Sequence, residues 1–287
     1  MRLATACLVL TLSGCHSLWP GKSLSTLAPT PPLGHTPAKA LLPTHDREWS
    51  PDLATLPRVE WSGDRAIVRN IRDCVYESDD DYVISYYDKQ FDLSKIQTVD
   101  FIVVPFKEAP SLAHTMLSFG FEGGDYVTVS AEARLEKHEK YNPLAGALRQ
   151  YELMYVVAAE RDAILRRTRH RGVDVYLYRT VATPEQARSL FADIMERVNR
   201  LGENPEFYDT LRNNCTTNIV THLNSLRPGR VPLDLRILLP GFSDGLAYEL
   251  GLIDTTLPFA ETQRRARVTD LANRNADASD FSTQIRR

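Results

Sequence analysis

From about Trp49 onward the chain alternates apolar and polar residues with the two-residue period of half-buried strands. The segments are Arg58–Trp61, Arg65–Ile71, Val99–Phe106, Leu112–Phe121, Tyr126–Ala133, Glu152–Ala158 and Val173–Val181, each bounded by Gly, Pro or charge. Such a succession predicts a mainly antiparallel sheet.

Two segments carry a helical period instead. Thr183-Pro-Glu-Gln186 has the Thr cap, the Pro at the first helical position and the Gln of a capping box. Ala187, Leu190, Phe191, Ile194, Val198 and Leu201 then form one apolar stripe before Gly202, which predicts a helix packed on the sheet. A second helix is expected from Cys215 to about Leu226, with Asn214 as its cap, Ile219, Val220, Leu223 and Leu226 as its apolar positions, and Pro228-Gly229 as its stop. Strands with helices packed on them make an α+β fold.

The 48 residues before the sheet read differently. A short apolar run, Leu3 to Leu12, is too short to span a bilayer and has the form of a signal-peptide core. It closes on Leu12-Ser-Gly-Cys15, which resembles the bacterial lipobox. Residues 1–14 are therefore expected to be a lipoprotein signal peptide and Cys15 a lipidated residue carrying chains such as palmitate. His16, rather than Asp, after that cysteine favours the outer membrane by resemblance to known sorting patterns, with the protein facing the periplasm. Residues 15–48, rich in Pro, Ser and Thr, read as a flexible tether, residues 49–260 as the folded domain, and residues 261–287 as a polar, Arg-rich tail expected to fray.

Composition narrows the function classes. A formal net charge of −3 over 287 residues argues against nucleic acid as a partner. No His-Glu-x-x-His, paired Cys-x-x-Cys or calcium-loop pattern occurs, so neither metal nor cofactor is expected, and the molecule is expected to be a monomer. Four cysteines reduce to two candidate thiols, since Cys7 leaves with the signal and Cys15 carries lipid. Cys74 and Cys215 could pair as a disulfide in an oxidising envelope, or Cys74 could be a small buried hydrophobe.

Cys215 sits in Asn213-Asn-Cys-Thr-Thr-Asn218 in the first turn of the second helix. There free backbone N–H groups and the helix dipole favour a thiolate, and the N–H groups beside Asn214 and Thr216 can hold an oxyanion. The plain alternative is a buried structural thiol. A thiol nucleophile needs a base, and of the seven histidines only His114 lies inside a strongly apolar strand, where an imidazole must be hydrogen-bonded or working. His222 lies seven residues down the same helix (222 − 215 = 7), about 10 Å along the axis, too far to take the Cys215 proton. His138 and His170 lie among charged residues, and His16, His35 and His45 lie in the tether.

A third group should orient the imidazole, and Glu132 in the neighbouring strand is our candidate, with a salt bridge to a surface Arg as its other reading. The hairpin register decides whether it can. A two-residue turn at Gly123-Gly124 pairs positions summing to 247 and puts Glu132 opposite Thr115, on the wrong face; a three-residue or bulged turn is expected to give 248 and put it opposite Met116, one pair from His114. Gly241-Phe-Ser-Asp-Gly245 fits a serine nucleophile elbow, but no histidine follows it, so Ser243 is expected to be a turn or cap residue. The run Arg166-Arg-Thr-Arg-His-Arg171 reads as a solvated helix end or as a phosphate site.

The blocks Val99–Phe106, His114–Phe121, Ser130-Ala-Glu-Ala-Arg134, Arg149-Gln-Tyr-Glu-Leu153 and Phe207–Ile219 resemble the periplasmic domain found at the N-terminus of Lnb-type lipoprotein intramolecular transacylases. The likeness covers roughly Trp49 to Pro258. That domain is similar to circularly permuted NlpC/P60 papain-like folds, in which the histidine strand precedes the cysteine helix. The resemblance implies Cys215 as nucleophile and His114 as base, an acyl-thioester intermediate, and a lipid or lipoprotein substrate at the membrane to which the N-terminal lipid tethers the domain. The transacylases carry transmembrane helices after this domain, and this chain has no apolar run long enough to span, so transacylation itself is an analogy. Two other functions fit the same residues: a peptidase or amidase acting on wall peptides, and a non-enzymatic envelope module that retains the fold.

Overall fold

The computed structural model describes residues 42–78 and 81–287, so the expected signal peptide, Cys15 and most of the expected tether lie outside the described residues. The fold is α+β. In chain order it runs β1 (Arg58–Ser62), β2 (Arg65–Arg72), the short pair β3 (Val75–Tyr76) and β4 (Tyr82–Val83), β5 (Tyr86–Asp92), β6 (Ile96–Phe106), β7 (Ala109–Phe121) and β8 (Tyr126–Arg134). Then follow α1 (Pro143–Ala147), β9 (Glu152–Ala159), α2 (Glu160–Leu165), β10 (Tyr176–Arg179), α3 (Pro184–Glu203) and α4 (Cys215–Leu226). Four short helices end the chain: α5 (Ser243–Glu249), α6 (Phe259–Ala266), α7 (Thr269–Arg274) and α8 (Phe281–Gln284).

The main sheet has the order β1-β2-β9-β8-β7-β6-β10, with β5 paired to the outer part of β2. Its pairings are antiparallel except β2 with β9, which meet in parallel at Arg72 and Ala158. Alternation sends Phe101, Leu117, Phe119, Val129, Leu153 and Val157 to one face, where the apolar stripe of α3 covers them. Ile102, Met116, Met154 and Val156 go to the other face, where they meet Ile164 of α2 together with Val268, Ala272, Phe281 and Ile285 from the end of the chain.

That second face corrects the expectation of a frayed tail at 261–287. Val268, Ala272, Phe281 and Ile285 are buried, and Arg286 reaches the wholly buried carboxylates of Asp100 (2.7 Å) and Glu160 (2.6 Å). The segment reads as solvated in the sequence because its apolar residues are few and far apart and its arginines numerous. The sheet supplies what the pattern lacks: an apolar face in need of cover and two buried acids in need of a cation.

The domain also begins before the expected boundary at 49. His45 Nε2 contacts the Leu201 carbonyl at 2.9 Å, and Arg47 pairs with the buried Glu152 at 2.7 Å. These contacts fasten residues to the fold that polarity alone assigned to a tether.

α3 and α4 form as the capping signals predict. Thr183 and Gln186 close a capping box, as do Asn214 and Thr217. α4 turns its polar side inward: its buried residues are Cys215, Thr216, Asn218 and His222, while Ile219, Val220 and Leu223 are only half-buried and Leu226 is exposed. Among the described residues no helix is long and apolar enough to cross a membrane.

Candidate active site

His114 lies on β7, Glu132 on β8 and Cys215 at the start of α4. Phe121 N–H donates to the Asp125 carbonyl at 2.8 Å and encloses the three-residue turn Glu122-Gly123-Gly124, where both glycines hold positive φ (+86° and +84°) that other residues resist. The strands then pair Gly120 with Tyr126 and Leu117 with Val129, a register sum of 246 (117 + 129). The expected turn length is found, but the expected sum of 248 is not: a three-residue turn spanning 122–124 is centred on 123, which fixes 246. An even sum keeps Glu132 and His114 on one face.

Past Leu117 the pairing of β7 with β8 stops, while β8 stays paired with β9 as far as Arg134 and Glu152. α4 contacts both strands, its first turn meeting β7 at Ala113 and Thr115. Cys215 Sγ lies 3.8 Å from the Ala113 carbonyl, and Thr216 Oγ1 lies 3.0 Å from Thr115 Oγ1. Tyr155 of β9 fixes the same helix, donating to Asn218 Oδ1 at 3.1 Å.

The three side chains meet. The Cys215 thiol and the His114 ring lie close enough for each to shift the ionisation of the other. His114 Nε2 lies 3.2 Å from Glu132 Oε1, an ion-pair contact set at an angle rather than a straight hydrogen bond. The same oxygen accepts from Ser130 Oγ at 2.7 Å and from Arg167 Nη2 at 3.3 Å. Cys215 is 5% exposed, and the side chains of His114 and Glu132 are 16% and 17% exposed, so the base retains an opening to solvent.

Electrostatics follow from that arrangement. For Cys215 burial opposes ionisation, but the neighbouring His114, together with Thr115, outweighs it and brings the thiol down to about 7. For His114 burial disfavours the imidazolium, yet contact with Cys215 and Glu132 holds it above its ordinary value against the opposing charge of Arg167. Glu132 is pushed toward the neutral acid by burial and away from it by His114, Arg167 and Arg72, which hold its carboxyl well below the usual carboxylate range.

Asn214 is committed as the cap: its Oδ1 accepts from Thr217 N–H at 2.9 Å and its Nδ2 donates to the Thr210 carbonyl at 2.6 Å. The backbone N–H groups of Cys215 and Thr216 fall at the helix positions that have no intrahelical partner. They are the donors available to an oxyanion. Tyr208 was not anticipated from the sequence; burial, reinforced by the charge on Cys215, keeps its phenol protonated, and its hydroxyl lies 3.3 Å from that of Tyr141.

The other candidates settle elsewhere. His222 is buried between Asp193 (2.6 Å) and Tyr155 (2.7 Å), a structural histidine with its pKa lowered by burial. Cys74 and Cys215 are both free thiols, so the disulfide considered between them does not form. Ser243 donates to the Pro240 carbonyl at 2.6 Å at the start of α5, the turn role expected of it. The Arg166–Arg171 run is neither a solvated helix end nor a phosphate site throughout: Arg166 pairs with Asp52, and Arg167 is buried against Glu132. A π-helical turn over Arg166–His170 swings Arg167 inward, which a charge pattern cannot announce. Among the described residues no group of three or more His, Cys, Asp or Glu could hold a metal ion.

A family model described as the Lnb N-terminal periplasmic domain matches residues 83–241, more than half of the chain, and the matched span contains His114, Glu132 and Cys215. No curated protein and no solved structure matches.

Proposed function

The chain belongs to the family of the Lnb N-terminal periplasmic domain, which makes it a periplasm-facing envelope protein of the Lnb type, and on that premise we propose that it is a cysteine-dependent acyltransferase or hydrolase. The observation that carries the reading is a buried thiol at the start of α4, beside a histidine whose Nε2 stands 3.2 Å from a glutamate carboxylate; the lowered pKa of the thiol agrees with it. His114 before Cys215 in the chain supports a circularly permuted NlpC/P60, papain-like arrangement.

His114 takes the proton from Cys215 Sγ, and the thiolate adds to the carbonyl carbon of an ester or amide. Negative charge gathers on the carbonyl oxygen, where the N–H groups of Cys215 and Thr216 receive it. The intermediate collapses, the imidazolium returns its proton to the departing alkoxide or amine, and the acyl group remains on sulfur as a thioester. Water or an amine, deprotonated by His114, then attacks that thioester and regenerates the thiol. Glu132, held by Ser130 and Arg167, fixes the ring and stabilises its charged form.

Leu12-Ser-Gly-Cys15 supports a lipid anchor at Cys15, and His16 supports placement in the outer membrane, so acyl groups of lipids or lipoproteins are the substrates we favour over wall peptides. Mass spectrometry of lipoprotein N-termini and of wall-peptide fragments, from cells with the wild-type chain and with Cys215→Ala, tests the reading. A change in N-terminal acylation is expected. Unchanged acylation with altered wall fragments would move the activity to peptide amides, and no change in either would overturn it. Palmitate labelling that disappears in Cys15→Ser is expected for the anchor.

A further inference from the structure

α4 covers its apolar stripe only in part, leaving Ile219, Val220 and Leu223 half-buried. Thr216, Ile219, Val220 and Leu223 recur at helical spacing along one side of it and line a cavity of about 710 Å³ closed on its other sides by β6, α3 and the segment around α5. Val231, Ile237 and Leu246 form a small buried cluster on the far wall, and Leu117 and Phe101 of the sheet form the floor. At about 30 Å³ for a water-sized group the space holds roughly twenty methylenes. It is also of the size of a ligand site, a few hundred to about a thousand Å³. One end is Thr216, the residue next to Cys215.

The segment that forms the far wall continues outward as an exposed apolar ridge. Leu233 is fully exposed, Leu235 is 75% and Phe242 50% exposed, and Leu238 and Leu239 stand between them. Val181 and Leu226, on the rim of the cavity, are also exposed, and Arg227 and Arg230 lie at the same rim. An exposed apolar ridge of this size marks a contact surface. A protein partner would cover the ridge and leave the cavity behind it empty. A lipid surface covers the ridge, and one of its acyl chains fills the cavity, so a single chemistry accounts for both.

We propose that the cavity along α4 binds one long acyl chain, taken from a lipid surface on which the 233–242 ridge rests. The chain lies along α4, about 18 Å from end to end, with its carbonyl end toward Thr216 and the thiol. This deepens the acyl-transfer reading and rests on it for the fate of the chain, but binding requires no chemistry at Cys215.

The test is a fluorescence titration of the full chain with pyrene-labelled palmitic acid, alongside flotation of the full-length Cys15→Ser chain, which carries no lipid of its own, with phosphatidylethanolamine–phosphatidylglycerol vesicles; the substitutions below are read in that chain. Saturable one-to-one binding is expected. Val220→Trp, which fills the cavity, should weaken it about tenfold by displacing a couple of methylenes, with an unchanged melting curve and an unchanged thiol titration showing that the fold is intact. Leu235→Asp with Leu239→Asp, both at exposed positions, should abolish flotation while leaving binding of the free acid unchanged. Cys215→Ala should bind the acid as the wild type does, so loss of thiol chemistry and loss of the cavity are separable results. No saturable binding by the wild type, equal binding by Val220→Trp, or flotation indifferent to the ridge aspartates overturns the proposal.

Discussion

Arg167 Nη2 lies 3.3 Å from Glu132 Oε1, the same oxygen that stands 3.2 Å from His114 Nε2. The guanidinium therefore acts in two directions, holding Glu132 ionised and disfavouring the imidazolium beyond it. Replacing it with Leu removes a positive charge that lowers the His114 pKa, so the ring should titrate at higher pH than in the wild type. Arg167→Lys should fall between the two, because it keeps the charge and loses the fork. Proton NMR of the ring resonances reads the shift directly, and a downward movement in Arg167→Leu would show that Arg167 serves the imidazolium only through Glu132.

The thiol gives a second prediction. With a pKa near 7, Cys215 is half thiolate near neutrality, and its alkylation rate should rise through a midpoint near pH 7. In His114→Ala the imidazole that lowers the pKa is gone while the opposing burial remains, so the midpoint should move up, past the ~8.5 of a free cysteine. Cys74, raised by burial, should stay unreactive over the same range. Iodoacetamide rates measured against pH by peptide mass spectrometry test both. A wild-type midpoint at or above that of the free amino acid would remove the physical basis for a nucleophile here.

The ion cluster at the chain end gives a third. Arg286→Ala leaves Asp100 to Arg179 alone and Glu160 to the Ser118 hydroxyl, and removing one partner of a buried ion pair costs about 3–5 kcal/mol. Arg286→Lys should recover part of this. Equilibrium urea unfolding measures it. A loss below about 1 kcal/mol, the worth of an exposed pair, would mean the tail is not clamped in solution.

A fourth prediction separates two residues of the serine-elbow look-alike. A Cβ at Gly241 would stand 1.9 Å from the Pro110 carbonyl oxygen, so this glycine lets the turn before α5 lie against the start of β7. Gly241→Ala should destabilise by about 1–3 kcal/mol, the usual range for overpacking, and should reduce activity by shifting the strand that carries His114. Ser243→Ala should cost about 1 kcal/mol, the loss of one hydrogen bond, and leave activity unchanged. Loss of activity in a folded Ser243→Ala protein would revive the serine mechanism.

The parts of this molecule legible in its sequence are those set by local rules. The caps at Thr183 and Asn214 and the stripe of α3 announce their helices because each is a contiguous pattern. His114 and Cys215 stand out because an imidazole in an apolar strand and a thiol at a helix start are both locally unusual. Glu132 depended on a turn length, which the two glycines indicated, and on a register sum that the turn geometry fixes at 246 rather than 248. Arg167 was hidden, since only a π-helical turn separates it from its solvent-exposed neighbours Arg169 and Arg171. The final helices were hidden too, because the acids that hold Arg286 lie 186 and 126 positions away in the chain.

The parting of β7 from β8 beyond Leu117, just where the tip of α4 meets β7, governs when the thiol becomes reactive. Cys215 follows His114 by 101 positions (215 − 114), so the pair cannot exist in any partly synthesised chain that lacks α4, and closing so long a loop comes late in folding. Until α4 docks, Cys74 and Cys215 are two ordinary thiols of ordinary nucleophilicity. Maturation thus switches on one of them and entombs the other, and the reactivity of Cys215 reports that α4 has docked.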